Sequence, residues 1–222
     1  MSAFKRRFRL EDQLAFYLSY HRNTTNRNIH LLCIWPILIT AQVILASVSP
    51  KWLQPSMVRS DSFQFQQCFY FNYATLVAAI YIPWYILLDP FAGSLGAMLV
   101  LASTVFANHV SLLSPIYLGL DAWKVALPLH LLGWIAQFIG HAIYEKRKPA
   151  LVDSLDQALI TAPMFVLLEI LFHAGYKPDL YDRVLRRASK NTHQQTANEC
   201  ARRETGARDD ACSSWLQAVA DE

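Results

Sequence analysis

Charged residues are scarce in this chain of 222 residues. Asp, Glu, Lys and Arg together make up only 17% of the positions, whereas 54% are hydrophobic. Typical soluble domains carry about 25% charged residues. The hydrophobic residues are also gathered into long runs, so the composition argues against a soluble enzyme and predicts a membrane protein with several spans.

Other familiar signatures are missing as well. The four cysteines show no CxxC spacing, which argues against a zinc finger or a compact disulfide framework, so we expect reduced cysteines. They are Cys33, Cys68, Cys200 and Cys212. The chain has no basic patch on a soluble segment, and nucleic acid is therefore not an expected partner. No cleavable signal peptide is recognisable, and we expect the first apolar run to direct membrane insertion.

Five apolar stretches follow one another along the chain, over residues 29–48, 69–88, 91–107, 125–144 and 155–172. The first is long enough to cross a hydrocarbon core of ~30 Å. These runs predict an all-α polytopic membrane helix bundle. Upstream, apolar residues recur with a helical period and follow basic residues, which predicts an amphipathic helix in the membrane interface. The residues of that stripe are Leu10, Leu14, Tyr17, Leu18 and His21.

Lys and Arg residues set the expected orientation. They cluster before the first run, in residues 145–150 and after Phe172, and all three positions are expected on the cytosolic side. Five complete spans would separate the termini, so we predict about four spans with one re-entrant segment. The predicted organisation is a basic segment with an interfacial helix (1–28), a transmembrane catalytic bundle (29–180) and a polar, mostly disordered cytosolic tail (181–222).

The fourth apolar run carries a polar stripe. On an ideal helix His130, Trp134, Gln137 and His141 share one face, and polar groups inside a span are functional candidates by default. Two glycines beside the stripe, Gly133 and Gly140, predict the close approach of another helix.

The histidines suggest a metal site at the cytosolic face. His21 and His30 lie at the start of the first run, and His141 lies with Glu145 at the end of the fourth. Three imidazoles and a carboxylate there suit Fe(II) with open positions, and equally zinc or copper. His130 is roughly 16 Å from His141 along an ideal helix, so it belongs to a second metal or has a supporting role.

Two amides of the Asn/Thr-rich segment between the first histidines are expected to support the site. Asn23 and Asn26 would hydrogen-bond ring nitrogens or cap the first span. Gln137 would line the site or a tunnel to it. In the fifth run Glu169 and His173 are spaced to hydrogen-bond each other.

Two motifs give the chain a recognisable resemblance. "HRNTTNRNIH" (21–30) resembles the H-x-N-x-x-N-x-x-x-H signature of a small integral membrane family of fungi, plants and bacteria. The segment 133–172 is similar to its second signature, in which W-x-x-Q-F-x-G-H, E-K-x-x-P-A and D-x-x-x-Q-x-L follow one another. The similarity covers about residues 10–180. The chain departs at Thr24–Thr25, in a polar insertion around 51–67 and in its C-terminal tail.

The resemblance implies an activity. The characterised fungal branch of this family comprises the 2-hydroxy fatty acid dioxygenases of the endoplasmic reticulum. Membership implies Fe(II)-dependent oxidative decarboxylation of a 2-hydroxy fatty acid with O2, in the α-oxidation of fatty acids derived from phytosphingosine. The ligands would come from His21, His30 and His141, with Glu145 as a fourth ligand or a support. The substrate carboxylate would be neutralised by a basic residue at the interface, namely Arg22, Arg27, Lys146 or Arg147.

Two other classes of function stay open on the sequence. One is a lipid-binding or scaffolding membrane protein whose histidines satisfy helix ends. The other is a metal or proton transporter that uses the stripe of the fourth run, although acidic residues are not aligned deep in several spans. Oligomeric state and chain-length preference have no signature here.

Overall fold

The computed structural model describes residues 9–50, 52, 70–145 and 157–204, and all its regular elements are helices. The helices are α1 (Leu10–Tyr20), α2 (Thr24–Val48), α3 (Tyr73–Leu88), α4 (Pro90–Tyr117), α5 (Ala122–Ile139), α6 (Ala162–His173) and α7 (Pro178–Glu204). A π-helical segment, Gly140–Glu145, continues α5, and a second one, Gln157–Thr161, precedes α6. Most of the insertion at 51–67 lies outside the described residues.

Within the described ranges, three helical stretches are long and apolar enough to cross a bilayer, namely Thr24–Val48, Pro90–Tyr117 and Ala122–Glu145. Two shorter apolar helices, Tyr73–Leu88 and Leu159–His173, complete the bundle. Large apolar side chains cover the outward faces, among them Met98, Leu132 and Ile135, each more than half exposed. An apolar outer surface suits lipid rather than water. The predicted membrane helix bundle is thus confirmed, whereas the number of spans stays a prediction.

The corner between α1 and α2 is tighter than the sequence suggested. We expected the spanning helix to begin near His30, but α2 begins at Thr24. The reason is Asn23, whose side-chain oxygen accepts hydrogen bonds from the backbone N–H groups of Thr25 and Asn26 at 2.8 and 3.4 Å. This N-cap satisfies the free donors of the first turn. Helix α2 therefore already includes most of the Asn/Thr-rich segment, and the turn itself is short.

Helix α2 packs closely against α5, and the two predicted glycines explain how. A Cβ atom on Gly133 would lie 2.6 Å from Cγ1 of Ile37, and one on Gly140 would lie 2.4 Å from Oδ1 of Asn26. Both distances are far below van der Waals contact, so only glycine allows this approach. The prediction that these glycines admit another helix is confirmed.

The apolar core lies between the interfacial helix and the bundle. Its fully buried members include Leu14, Tyr85, Met164, Phe165 and Leu168. Helix α1 also packs against α7, where Arg187 bridges to Glu11 and Asp12.

Helix α7 revises one expectation about the tail. Residues 181–222 were expected to be mostly disordered, but α7 extends helical structure to Glu204. Its first half is held against α1, so tertiary contacts stabilise a sequence whose own pattern is weak. Residues 205–222 lie outside the described residues.

Candidate metal centre

Three buried histidines meet where α1, α2 and the end of α5 converge. They are His21, His30 and His141, each 4–5% exposed. Their ring centroids lie 4.3, 4.9 and 5.0 Å apart. One nitrogen from each ring lies within 4.8 Å of the others. The described residues contain no second group of this kind formed by His, Cys, Asp or Glu side chains.

Hydrogen bonds fix the tautomers of two of these rings. Nδ1 of His21 donates to the carbonyl oxygen of Tyr17 at 2.7 Å, and Nδ1 of His30 donates to that of Asn26 at 3.0 Å. A neutral imidazole carries a single N–H, so the Nε2 atom of each ring carries a lone pair. These two Nε2 atoms face each other at 3.0 Å. Two facing lone pairs repel each other unless a cation lies between them.

The arrangement therefore fits a metal ion. Nitrogen ligands about 2.0–2.1 Å from one metal lie about 3.0–3.4 Å from each other. The Nε2 atoms of His21 and His30 already have this separation, and a modest shift would bring in His141. Nδ1 of His141 is buried and has no hydrogen-bond partner among the described residues, which leaves it available as a ligand. Backbone acceptors that orient a ligating ring through its other nitrogen are typical of metal sites.

The surroundings of His21 keep its ring neutral. Tyr17 stacks on it with ring centroids 4.2 Å apart. Burial, and next the neighbouring ring of His30, lower the pKa of His21 well below its ordinary value. Burial, and next the charge of Glu169, raise the pKa of the Tyr17 hydroxyl. The ring of His21 is thus held in the form that binds metal at neutral pH.

The carboxylate of Glu145 binds at the start of α2 and does not join the three histidines. Its Oε1 accepts hydrogen bonds from the backbone N–H of Asn23 at 2.8 Å and from Nδ2 of Asn26 at 3.2 Å. The expected ligand pair of His141 and Glu145 assumed an α-helix, but Gly140–Glu145 is π-helical. A π-helix bonds i to i+5 and displaces side chains that an α-helix would stack. Glu145 therefore fastens the end of α5 to the start of α2.

His130 does not join the other histidines. Its Nδ1 lies 3.2 Å from the carbonyl oxygen of Ile37 and 3.1 Å from Oγ1 of Thr40. Its Nε2 accepts a hydrogen bond from Nε1 of Trp134 at 3.0 Å. Both ring nitrogens are thus engaged between α2 and α5, where they leave no lone pair for a metal.

Comparison with known proteins identifies the family. The family model described as "2-hydroxy-palmitic acid dioxygenase Mpo1-like" matches residues 8–174. The chain belongs to this family. A curated relative, the 2-hydroxy-palmitic acid dioxygenase MPO1 of Saccharomyces cerevisiae, is 33% identical over 172 residues, which cover 77% of this chain and 84% of the relative. No solved structure matches. All three clustered histidines lie within the part that the Mpo1-like family model covers, whereas α7 lies beyond it.

A second polar feature of this Mpo1-like chain is a cavity beside His21. Its volume is about 190 Å³, and its walls come from the corner between α1 and α2 and from α7. Arg22 and Arg27, two of the basic residues expected to bind the substrate carboxylate, line it together with His21. Arg22 is exposed there. Lys146 and Arg147, the other basic candidates, lie outside the described residues.

Arg27 has a partner that the sequence did not reveal. It forms an ion pair with Glu169 of α6, which is 3% exposed. The expected side-chain bond between Glu169 and His173 does not form, since Nδ1 of His173 donates to the backbone oxygen of Glu169 at 2.7 Å. The signal available in advance was a carboxylate within an apolar run, near its end, which has to find a cation.

Gln137 is buried next to the site. It is 4% exposed, and within the described part of the chain both its Nε2 and its Oε1 are without a hydrogen-bond partner. It lies one helical turn before His141. An unsatisfied amide in an apolar bundle costs free energy, which calls for a ligand.

Proposed function

We propose that this chain is an Fe(II)-dependent dioxygenase of 2-hydroxy fatty acids. In the proposed reaction a 2-hydroxy acid and O2 give the acid one carbon shorter, CO2 and water. The bond between C1 and C2 breaks, and all electrons that reduce O2 come from the substrate. The proposal includes a multi-pass location in the endoplasmic reticulum membrane with cytosolic termini, and a role in the catabolism of sphingolipid-derived fatty acids.

The observation that carries the proposal is the pair of opposed Nε2 lone pairs of His21 and His30, with His141 beside them. Three neutral imidazoles hold a divalent ion and leave further coordination positions open. Iron in such a site would supply the means to activate O2. An α-hydroxy carboxylate can chelate a metal through its hydroxyl oxygen and one carboxylate oxygen. An ordinary fatty acid lacks this hydroxyl and offers only its carboxylate.

The residues around the histidines support this use. The exposed guanidinium of Arg22 lies in the cavity beside His21 and would attract an anionic substrate from the membrane surface. Arg27 would contribute less, because Glu169 already neutralises it. Glu145 would hold the corner closed through Asn23 and Asn26, and so would keep the imidazoles of α2 and α5 at ligand distance.

The test is turnover by the purified protein in detergent. Anaerobically iron-loaded protein is mixed with 2-hydroxyhexadecanoic acid and O2, and pentadecanoic acid and CO2 are measured. We expect equal amounts of both products, and none with hexadecanoic acid. Zinc-loaded protein is the control, because zinc occupies the same ligands without redox chemistry. Equal turnover by the zinc form would refute an iron oxygenase. Binding of the acid without turnover by the iron form would favour a lipid-binding protein.

A further inference from the structure

A second cavity lies deeper in the bundle, on the hydrocarbon side of the histidines. It is a groove of about 200 Å³ between α2 and α5, closed by residues of α3 and of the segment leading into α6. The α2 wall is apolar and consists of Ile34, Ile37, Leu38 and Ala41. Leu159, which is 46% exposed, brings the groove to the lipid-facing surface.

The α2 wall of the groove continues the helix face that carries His30. At 100° per residue, Ile34, Ile37 and Ala41 lie within about 40° of His30 on α2. On α5, Trp134 lies seven residues before His141, which belongs to the π-helical segment that continues this helix. The groove therefore begins about one helical turn below His30 and runs along α2 toward the bilayer centre.

The wall on α5 is rigid, although it contains two polar residues. Trp134 donates to His130, which is itself held against Ile37 and Thr40 of α2. Because each ring nitrogen is bonded within the protein, the groove presents ring surfaces rather than free polar atoms to an occupant. Such a lining suits a saturated hydrocarbon chain.

Gln137 does not line the groove itself, but it follows Trp134 of the groove wall by three residues in the direction of His141. This residue lies on α5 between Trp134 and His141, and none of the residues that the structure describes hydrogen-bonds its buried amide. An amide there can donate to an oxygen of a bound acid and accept from a hydroxyl group. A molecule with a polar head at the histidines and an apolar tail in the groove would satisfy it.

We propose that this groove binds the acyl chain of the substrate and sets the longest chain that is accepted, with Gln137 binding the 2-hydroxy acid head. The inference rests on the proposed function and adds to it a binding site for the acyl chain and a limit on chain length. The acyl tail extends from the histidines to Ala41, which lies about 16 Å along the axis of α2 from His30. A membrane lipid that fills the groove without being a substrate is the competing occupant.

The test uses a substitution at the far end of the groove. In Ala41→Phe the new ring occupies the space for the tail without approaching the histidines. We expect kcat/KM for 2-hydroxyhexadecanoic acid to fall about tenfold or more, as for steric exclusion from an apolar pocket. The value for 2-hydroxyoctanoic acid should stay within about twofold, and iron content should be unchanged. Ala79→Phe is the matched control, since Ala79 is exposed on α3 and does not line the groove.

A second variant tests the head end. Gln137→Leu removes the amide at similar volume, and we expect a higher KM for both acids, with iron retained. A merely structural role would instead lower thermal stability or iron content and leave KM unchanged.

The outcomes separate the two proposals. Unchanged chain-length preference in Ala41→Phe, or an equal loss for both acids, would overturn the groove as the acyl site and leave a lipid as its occupant. Failure of the unsubstituted, iron-loaded protein to convert either acid would instead refute the proposed function itself.

Discussion

Arg27 allows two interpretations, and a single substitution separates them. The sequence makes it one of four basic candidates for the substrate carboxylate, whereas the structure pairs it with Glu169 across α2 and α6. The side chain of Glu169 is 4% exposed and that of Arg27 is 23% exposed. In Arg27→Met the stem of the side chain is kept, but a buried carboxylate loses its cation. We expect this variant to be unstable.

The expected loss of stability follows from the burial of the pair Arg27–Glu169. Removal of one partner from a buried ion pair costs about 3–5 kcal/mol, and the partial exposure of Arg27 favours the lower end. For a chain of this size each kcal/mol shifts Tm by about 2–4 °C, so Arg27→Met should lower Tm by about 6–12 °C. Thermal unfolding of the purified protein in detergent measures the shift.

The double variant Arg27→Met/Glu169→Leu completes the argument. It removes both charges, so no buried carboxylate is left unpaired, and most of the lost stability should return. A double-mutant cycle with Glu169→Leu then gives the coupling energy of the pair. Arg22→Met is the control. Because Arg22 is exposed, its loss should change stability by less than about 0.5 kcal/mol while raising KM for the acid. The ion-pair reasoning would be refuted by an Arg27→Met protein with unchanged Tm and a raised KM.

Three further predictions concern packing, pH and metal. In Gly140→Ala a methyl group would lie 2.4 Å from Oδ1 of Asn26, so the corner should open. The overpacking should lower the free energy of unfolding by about 1–3 kcal/mol and thereby lower Tm. An unchanged Tm would contradict the close approach of α2 and α5. Asp89 caps α4, and its carboxylate binds Lys177 at 2.7 Å. Burial raises the pKa of this carboxyl, but its hydrogen bonds outweigh burial, so the pKa lies below the ordinary value. The folded pKa lies below the unfolded value, so the stabilisation is present above the ordinary pKa and is lost as pH falls through the folded one. The stability of Asp89→Asn should therefore depend less on pH in that acidic range. An equal pH dependence in both proteins would count against the pair. Removal of the metal by a chelator should lower Tm, because an ion that binds only the folded chain stabilises it, and Fe(II) should restore it; a chelator without effect on Tm would argue against a metal in the native protein.

The sequence predicts those features that depend on local pattern. The amphipathic period of residues 10–21 corresponds to α1 at Leu10–Tyr20, and the glycines beside the polar stripe mark the contact between α2 and α5. The cap by Asn23 is also a local signal. To predict that His21, His30 and His141 lie close together, one also needs the membrane orientation that the Lys and Arg residues indicate. The structure brings these three rings together.

The remaining features depend on contacts that a linear pattern does not contain. The partner of Arg27 is 142 positions away in the chain. The displacement of Glu145 from His141 arises from a π-helical segment, which the ideal period of an α-helix cannot anticipate. The first half of α7 is held by tertiary contacts with α1, such as those of Arg187, although its sequence is polar and resembles a disordered tail.

The central claim is that His21, His30 and His141 hold a catalytic iron, and iron retention tests it most directly. The protein is loaded with Fe(II) without oxygen, desalted, and its iron measured together with its fold by circular dichroism. We predict stoichiometric iron in the unsubstituted protein and in His130→Ala, because His130 is engaged elsewhere. His30→Ala should remain helical but lose its iron. Retention of iron by His30→Ala, or its loss from His130→Ala alone, would contradict the metal centre described.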